Sequence, residues 1–238
     1  MDYTLYYWPL PFRGHFVRYV LAHAGASWDE GDTAELIRLK ALPVGEQPTP
    51  FMAPPLLNDH AAGLWLSQLP AILLYLGRKH DLLPEDSARA ALAHKLVCDA
   101  NDVLEEITCN CGRTMWAKAD WDDFAATRLP RWMAIFEDTG RRHGLTAEAG
   151  TMLGTGAPGL ADLAAAALWH TMGAKLPLLG GMLRRNAPRV AALSQRIAAL
   201  PEIAAMIARE DARTGRDYCG GQIERSLRAM LEETDHKT

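Results

Sequence analysis

The feature that most constrains this chain is a change of pattern at Leu82-Leu83-Pro84-Glu85-Asp86. Short strand signals and short helices alternate before it, and only helical spacing follows it. A break of this kind argues for two units, and 238 residues suffice for two cores when domains run to roughly 100 to 150 residues. The expected units are residues 1–83, mixed α/β, and residues 87–238, all helical.

Along the first unit, Tyr3-Thr4-Leu5-Tyr6-Tyr7-Trp8 is aromatic, contains a β-branched residue and is stopped by Pro9 and Pro11, which predicts a strand and a turn. From Gly14 the spacing turns helical, with Phe16, Val20 and Ala24 on one stripe, Val17 and Leu21 beside it, and Gly25 at the C-terminal cap. A strand near Trp28, a helix over 34–40, a proline-rich loop from Pro43 to Pro50, strands around Leu56-Leu57 and Gly63–Leu66, and an apolar helix from Ala71 to Lys79 complete the order βαβαββα. Beyond Asp86, Ala88, Leu92, Leu96, Ala100, Leu104 and Ile107 trace one face of a long helix, and Trp132, Met133 and Phe136 mark the next. A third helix opens after Gly154–Pro158, and Pro188 and Pro201 stand near two more helix starts, where a missing backbone donor costs little.

Several functions are disfavoured at once. A net charge of -4 and a pI near 6.1 offer no basic stripe for a phosphate backbone, so nucleic acid is not an expected partner. No apolar run reaches the roughly 18 residues of a membrane span, and no leader-like segment opens the chain, so a cytoplasmic location is expected. The eight histidines (His15, His23, His60, His80, His94, His143, His170 and His236) have no carboxylate or cysteine grouped at ligand intervals, so no metal is assigned. Four cysteines are too few for a disulfide scaffold. Cys109 and Cys111, read as helical, would point about 200° apart, and all four are read as reduced, buried and small.

Four motifs then stand in order: Tyr3-Thr4-Leu5-Tyr6-Tyr7-Trp8-Pro9 with Arg13-Gly14, Ala53-Pro54-Pro55-Leu56, Gln68-Leu69-Pro70-Ala71-Ile72-Leu73-Leu74-Tyr75-Leu76, and Gly154 to Asp162. Together they resemble the cytosolic glutathione transferases of tyrosine type, from Tyr3 to about Arg209. The resemblance implies a thioredoxin-like domain that holds glutathione as co-substrate, an all-helical domain with an apolar substrate pocket, a homodimer, and conjugation of glutathione to small electrophiles in detoxification.

The chemistry such a protein needs is activation of a thiol it does not own. A thiol titrates near 8.5, so little of it is thiolate at neutral pH. One donor to a charged acceptor is worth roughly 1.5 to 3 kcal/mol, enough to lower that pKa by about one to two units. Residues 1–15 contain no serine or cysteine, and Thr4 lies early in the strand, so Tyr6 or Tyr7 must supply the hydroxyl. The absent cysteine also argues against the thioltransferase-like relatives. Adjacent strand residues face opposite ways, so one tyrosine enters the site while the other packs.

The resemblance selects Tyr7 as the catalytic donor and places Arg13 near the glycyl end of glutathione or near that tyrosine. It implies a cis Ala53–Pro54 bond that aims the backbone of Ala53 at the cysteinyl part, and it assigns Gln68 and Leu69 to the γ-glutamyl carboxylate. Leu69 departs from the family's serine, leaving only its amide at a helix N-terminus. The turn Trp8–Phe12 is about two residues longer than the family's, judged by the same resemblance. These departures motivate the alternative of a transferase-fold binding or partner protein with weak or lost glutathione binding. Gly159 stands where the family caps a buried helix, with Asp162 structural. Trp8, Arg113, Met115 and Trp116 are the expected lining of the apolar pocket. The tail beyond Ala212, with Cys219-Gly220-Gly221, matches nothing in the resemblance.

Overall fold

The computed structural model describes residues 1–235. His236, named above, lies outside the described residues.

Strand β1 (Tyr3–Tyr6) alternates, with Tyr3 and Leu5 buried and Thr4 and Tyr6 half-buried. It pairs in parallel with β2 (Trp28–Glu30) and antiparallel with β3 (Leu56–Asp59), and β3 pairs antiparallel with β4 (Leu64–Ser67). The sheet order is β2-β1-β3-β4, so the parallel pair is joined by a crossover helix, α1 (Phe12–His23). Helix α2 (Thr33–Ala41) is capped by Asp32, whose carboxylate accepts from the amide of Glu35, and α3 (Leu69–Lys79) follows β4. The thioredoxin-like order βαβαββα read from the sequence is the order observed.

Helix α1 is not amphipathic in the way its apolar stripe implies. It lies against α3 and also against α8 (Leu160–Lys175) and α11 (Pro201–Thr214), so His15, Arg18 and Tyr19 are buried along with Phe16, Val17 and Val20. Arg18 has no exposed side-chain surface and makes a bidentate pair with Glu30 at 2.8 and 2.7 Å. Its Nη1 donates to the carbonyl of Leu10 at 3.0 Å, and Glu210 Oε2 lies 3.4 Å from its Nε. A guanidinium removed from water is tolerated because its donors are satisfied and two carboxylates face it. The network fastens α1, β2, α11 and the turn after β1 to one another.

Among the described residues, everything after β4 is helical or irregular. Helix α4 (Ser87–Ile107) buries Ala93, Leu96, Val97, Ala100, Val103, Leu104 and Ile107. Ala88 and Leu92, placed on the same stripe by the sequence, are exposed, and Ala93 is the first buried residue of the helix. The helical reading of Cys109 and Cys111 also fails. In the single turn α5 (Cys109–Gly112) the φ angles of Cys109, Asn110 and Cys111 are +47°, +55° and +59°, left-handed values that end α4 and swing the chain aside. Cys111 is exposed, the other three cysteines are half-buried, and none forms a disulfide.

Helix α6 (Lys118–Asp123) continues through a π-type turn at 124–128 into α7 (Leu129–Arg142). After α8 come α9 (Pro177–Asn186), α10 (Pro188–Ala198), α11 and α12 (Gly221–Asp235). Helix α8 is the centre of this assembly, touching α1, α4, α9 and α10. Its run Ala164–Ala167 is fully buried and lets these neighbours approach. Its start is held by Asp162, which accepts the amides of Met152 at 2.7 Å and Gly159 at 2.9 Å. The amide of Leu160 donates to the carbonyl of Leu82 at 2.8 Å and ties α8 to the segment that follows α3. Among the described residues, no single helix is long and apolar enough to cross a membrane.

Candidate functional site

Where β1 ends, the chain turns beneath the start of α1 and a cavity of about 560 Å³ opens. Tyr6 faces away from it, stacked on Trp65 with ring centroids 5.6 Å apart. Tyr7 lines it and is 6% exposed. Its ring sits so close to α1 that a Cβ on Gly14 would lie 2.5 Å from Tyr7 Cδ1, which is why this turn of helix carries glycine.

The hydroxyl of Tyr7 accepts the backbone N–H of Arg13 at 3.2 Å. Burial pushes its pKa up to about 12, against the opposing pull of Arg13. The group therefore stays protonated through the physiological range, with its own hydrogen free for an acceptor in the cavity.

Arg13 stacks its guanidinium over Phe12 at 5.1 Å, donates from Nε to Asn101 Oδ1 at 3.2 Å, and reaches Cys111 Sγ from Nη2 at 3.7 Å. Asn101 belongs to α4 and Cys111 to α5, so the cavity is closed on that side by the helical part of the chain. Lys40, Glu105 and Arg113 also line it, as do Cys219 and Ile223 from the tail.

Ala53, Pro54 and Pro55 form the wall next to β3. The cis bond is Pro54–Pro55, one position later than the expected Ala53–Pro54. Both are X–Pro bonds, the class in which cis is accessible, so the motif alone left its register open by one residue. Pro54, which precedes the cis bond, has a carbonyl but no N–H.

At the far wall Gln68 has φ +72° and ψ +115°, a left-handed conformation that a non-glycine residue adopts only where its surroundings impose it. It is the N-cap residue of α3. Leu69 follows, 2% exposed, its side chain part of the core while its backbone opens the helix. Pro70 supplies no amide, which leaves those of Leu69 and Ala71 as the free donors of the first turn.

All six residues named from the sequence (Tyr7, Arg13, Ala53, Pro54, Gln68 and Leu69) thus surround one cavity. Of the four named for an apolar lining, Trp8 and Arg113 reach it. Trp116 packs instead on Trp121 and Phe124 and donates to the carbonyl of Ile107 at 3.0 Å, and Met115 is exposed. The sequence reading passed over Lys40, Asn101, Cys111, Cys219 and Ile223, which lie on four helices and the segment between α11 and α12 and carry no motif.

Residues 92–230 match the family model for the glutathione S-transferase C-terminal domain. The chain belongs to the glutathione S-transferase family. The fold agrees across both halves of this transferase-family chain. A Pi-class glutathione S-transferase of Onchocerca volvulus superposes with a TM-score of 0.73 at 19% identity, covering 93% of this chain and 98% of that one. Prostaglandin synthase D of Nilaparvata lugens gives a TM-score of 0.68 at 18% identity, with 88% and 97% covered. Rat hPGDS complexed with a quinoline gives 0.68 at 19%, with the same coverage. At these identities the likeness is one of fold.

Proposed function

We propose that this transferase-family protein activates the thiol of glutathione for attack on a small electrophilic, apolar substrate, with Tyr7 as the hydrogen-bond donor to the sulfur. The observation that carries the reading is the state of Tyr7: a protonated hydroxyl at the wall of a large cavity, its oxygen already engaged by the amide of Arg13. In this reading residues 1–83 hold glutathione and residues 87–238 hold the second substrate. The side chains facing the cavity suit a ligand with two carboxylates and one ammonium group. Arg13, Lys40 and Arg113 are cationic, Glu105 is the acid, and the amide of Leu69 stands at a helix N-terminus.

The chain's part in the reaction is to place the thiol, stabilise its charge and exclude water. A hydroxyl donor worth roughly 1.5 to 3 kcal/mol lowers the thiol pKa by about one to two units, which is the difference between a minor and a major thiolate fraction at neutral pH. The second substrate meets Trp8, Cys219 and Ile223 on the side facing the helices. A homodimer working in cytoplasmic detoxification is part of the same proposal, supported by the family resemblance, and sedimentation velocity tests the dimer.

The test is Tyr7→Phe, which keeps the ring and removes only the hydroxyl. Conjugation at neutral pH should fall by about tenfold or more and its pH midpoint should rise by roughly one to two units, while glutathione affinity changes less. Tyr6→Phe, on the other face of the strand, should behave as wild type. Loss of activity in the Tyr6 variant instead would move the donor by one residue. One observation favours the alternative, a binding protein with weakened or lost glutathione affinity: Leu69 puts no hydroxyl at the α3 start and its side chain is buried. Calorimetry with glutathione separates the two.

A further inference from the structure

The tail beyond Ala212, which the family model covers as far as residue 230, folds back onto the turn Trp8–Phe12. We infer that Glu224 and Tyr218 are positioning residues for Tyr7, acting through the turn Trp8–Phe12. The inference rests on the reading of Tyr7 as the thiol donor.

Glu224 lies in the first turn of α12, and its Oε2 accepts three consecutive backbone N–H groups, from Tyr218 at 2.9 Å, Cys219 at 2.9 Å and Gly220 at 2.5 Å. Its Oε1 takes Arg228 Nε at 2.8 Å, and Arg228 Nη2 donates onward to the carbonyl of Arg216 at 2.6 Å. Burial by itself would raise the pKa of this carboxyl, but the amides and Arg228 hold it below the ordinary value, so it is charged and its bonds are charge-assisted. The segment 216–220 is therefore fixed, although it contains no regular structure.

What this clamp presses on is the turn before α1. The ring of Tyr218 meets Phe12 edge-on, with centroids 5.2 Å apart and planes at 86°. Gly220, at φ +73°, comes so near Leu10 that a Cβ would lie 2.7 Å from Leu10 Cδ1. On the opposite side the carbonyl of Leu10 is held by Arg18. The turn is thus gripped between a buried guanidinium and the tail, and the next residue along is Arg13, whose amide aims at Tyr7. Hydrogen bonds weaken steeply with misalignment, so freedom at Phe12 becomes freedom in the orientation of the Tyr7 hydroxyl. The Tyr218 hydroxyl is buried and has no hydrogen-bond partner among the described residues, so the ring alone makes the contact.

Glu224→Gln keeps the shape of the clamp and removes its charge, Tyr218→Leu removes the ring, and Tyr218→Phe removes only the unpartnered hydroxyl. In full-length protein shown to be folded by circular dichroism, amide exchange over residues 8–14 should quicken by roughly fivefold or more in the first two variants and stay as in wild type in the third. In the same two variants the pH midpoint of conjugation should rise by about half to one unit, with the KM for glutathione changed by no more than about twofold. Unchanged exchange over 8–14 in both folded variants overturns the inference, and so does faster exchange with an unmoved pH midpoint. Absence of glutathione binding by the wild-type protein would instead overturn the transferase reading, and exchange alone would then decide whether the tail holds the turn.

Discussion

His15 shows at the scale of one residue how burial sets a pH response. It is 2% exposed, its Nδ1 lies 3.3 Å from Arg18 Nη1, and burial together with the charges of Arg18, Lys175 and Arg213 and neighbouring His170 holds its pKa well below the ordinary 6.5. His170 is also lowered by burial. In the unfolded chain both take up a proton near 6.5 and in the folded chain they do not, so the unfolded state binds more protons below that value. Stability is therefore greatest above about pH 6.5 and falls as the pH drops, by up to about 1.4 kcal/mol per pH unit for each histidine. Urea midpoints measured between pH 7.5 and 5.5 should show this, and His15→Gln should flatten the slope. An equal slope in the variant would place the response elsewhere. The burial of His15 and Arg18 on α1 was not legible beforehand, because polar side chains beside an apolar helical stripe read as its solvent side.

At the scale of the element, the start of α3 combines a binding role with a packing one. Leu69 offers its amide to the cavity and its side chain to the core. Leu69→Ser restores a hydroxyl beside the free amides, and glutathione should bind up to about tenfold more tightly through a charge-assisted contact. The same change empties part of the core and should cost about 2 to 4 kcal/mol of stability. Calorimetry and thermal melting should thus move in opposite directions, and weaker binding would show that the carboxylate does not sit there. Helix and strand identities were readable because each element's own hydrophobic period specifies it. The left-handed turn at Cys109–Cys111 and the one-residue shift of the cis bond were not, since both are settled by what surrounds them.

At the scale of the molecule, α8 joins what the chain's order keeps apart. It touches α1 of the first half and α4, α9 and α10 of the second, and Asp162 secures its start. Burial raises the Asp162 pKa while the amide bonds pull it down. Asp162→Ala would orphan the buried amide of Met152 and the half-buried one of Gly159 and should cost about 2 to 4 kcal/mol. Because α8 is shared, tryptophan fluorescence and far-ultraviolet dichroism should lose their signals in one coincident transition at a lower midpoint, and two separated transitions would show that the halves unfold independently. The sequence by itself determined the order of strands and helices and the mixed first half and helical remainder, since periodicity and proline positions are local properties, and its resemblance to the transferases picked out six of the residues that line the cavity. Only the tertiary structure decided that Arg18 is buried between two carboxylates, that Asn101 and Cys111 meet Arg13, and that Glu224 draws the tail over the turn beside Tyr7. Those contacts join residues 12 to 206 positions apart, and no local pattern encodes a pairing that exists only when the chain has closed on itself.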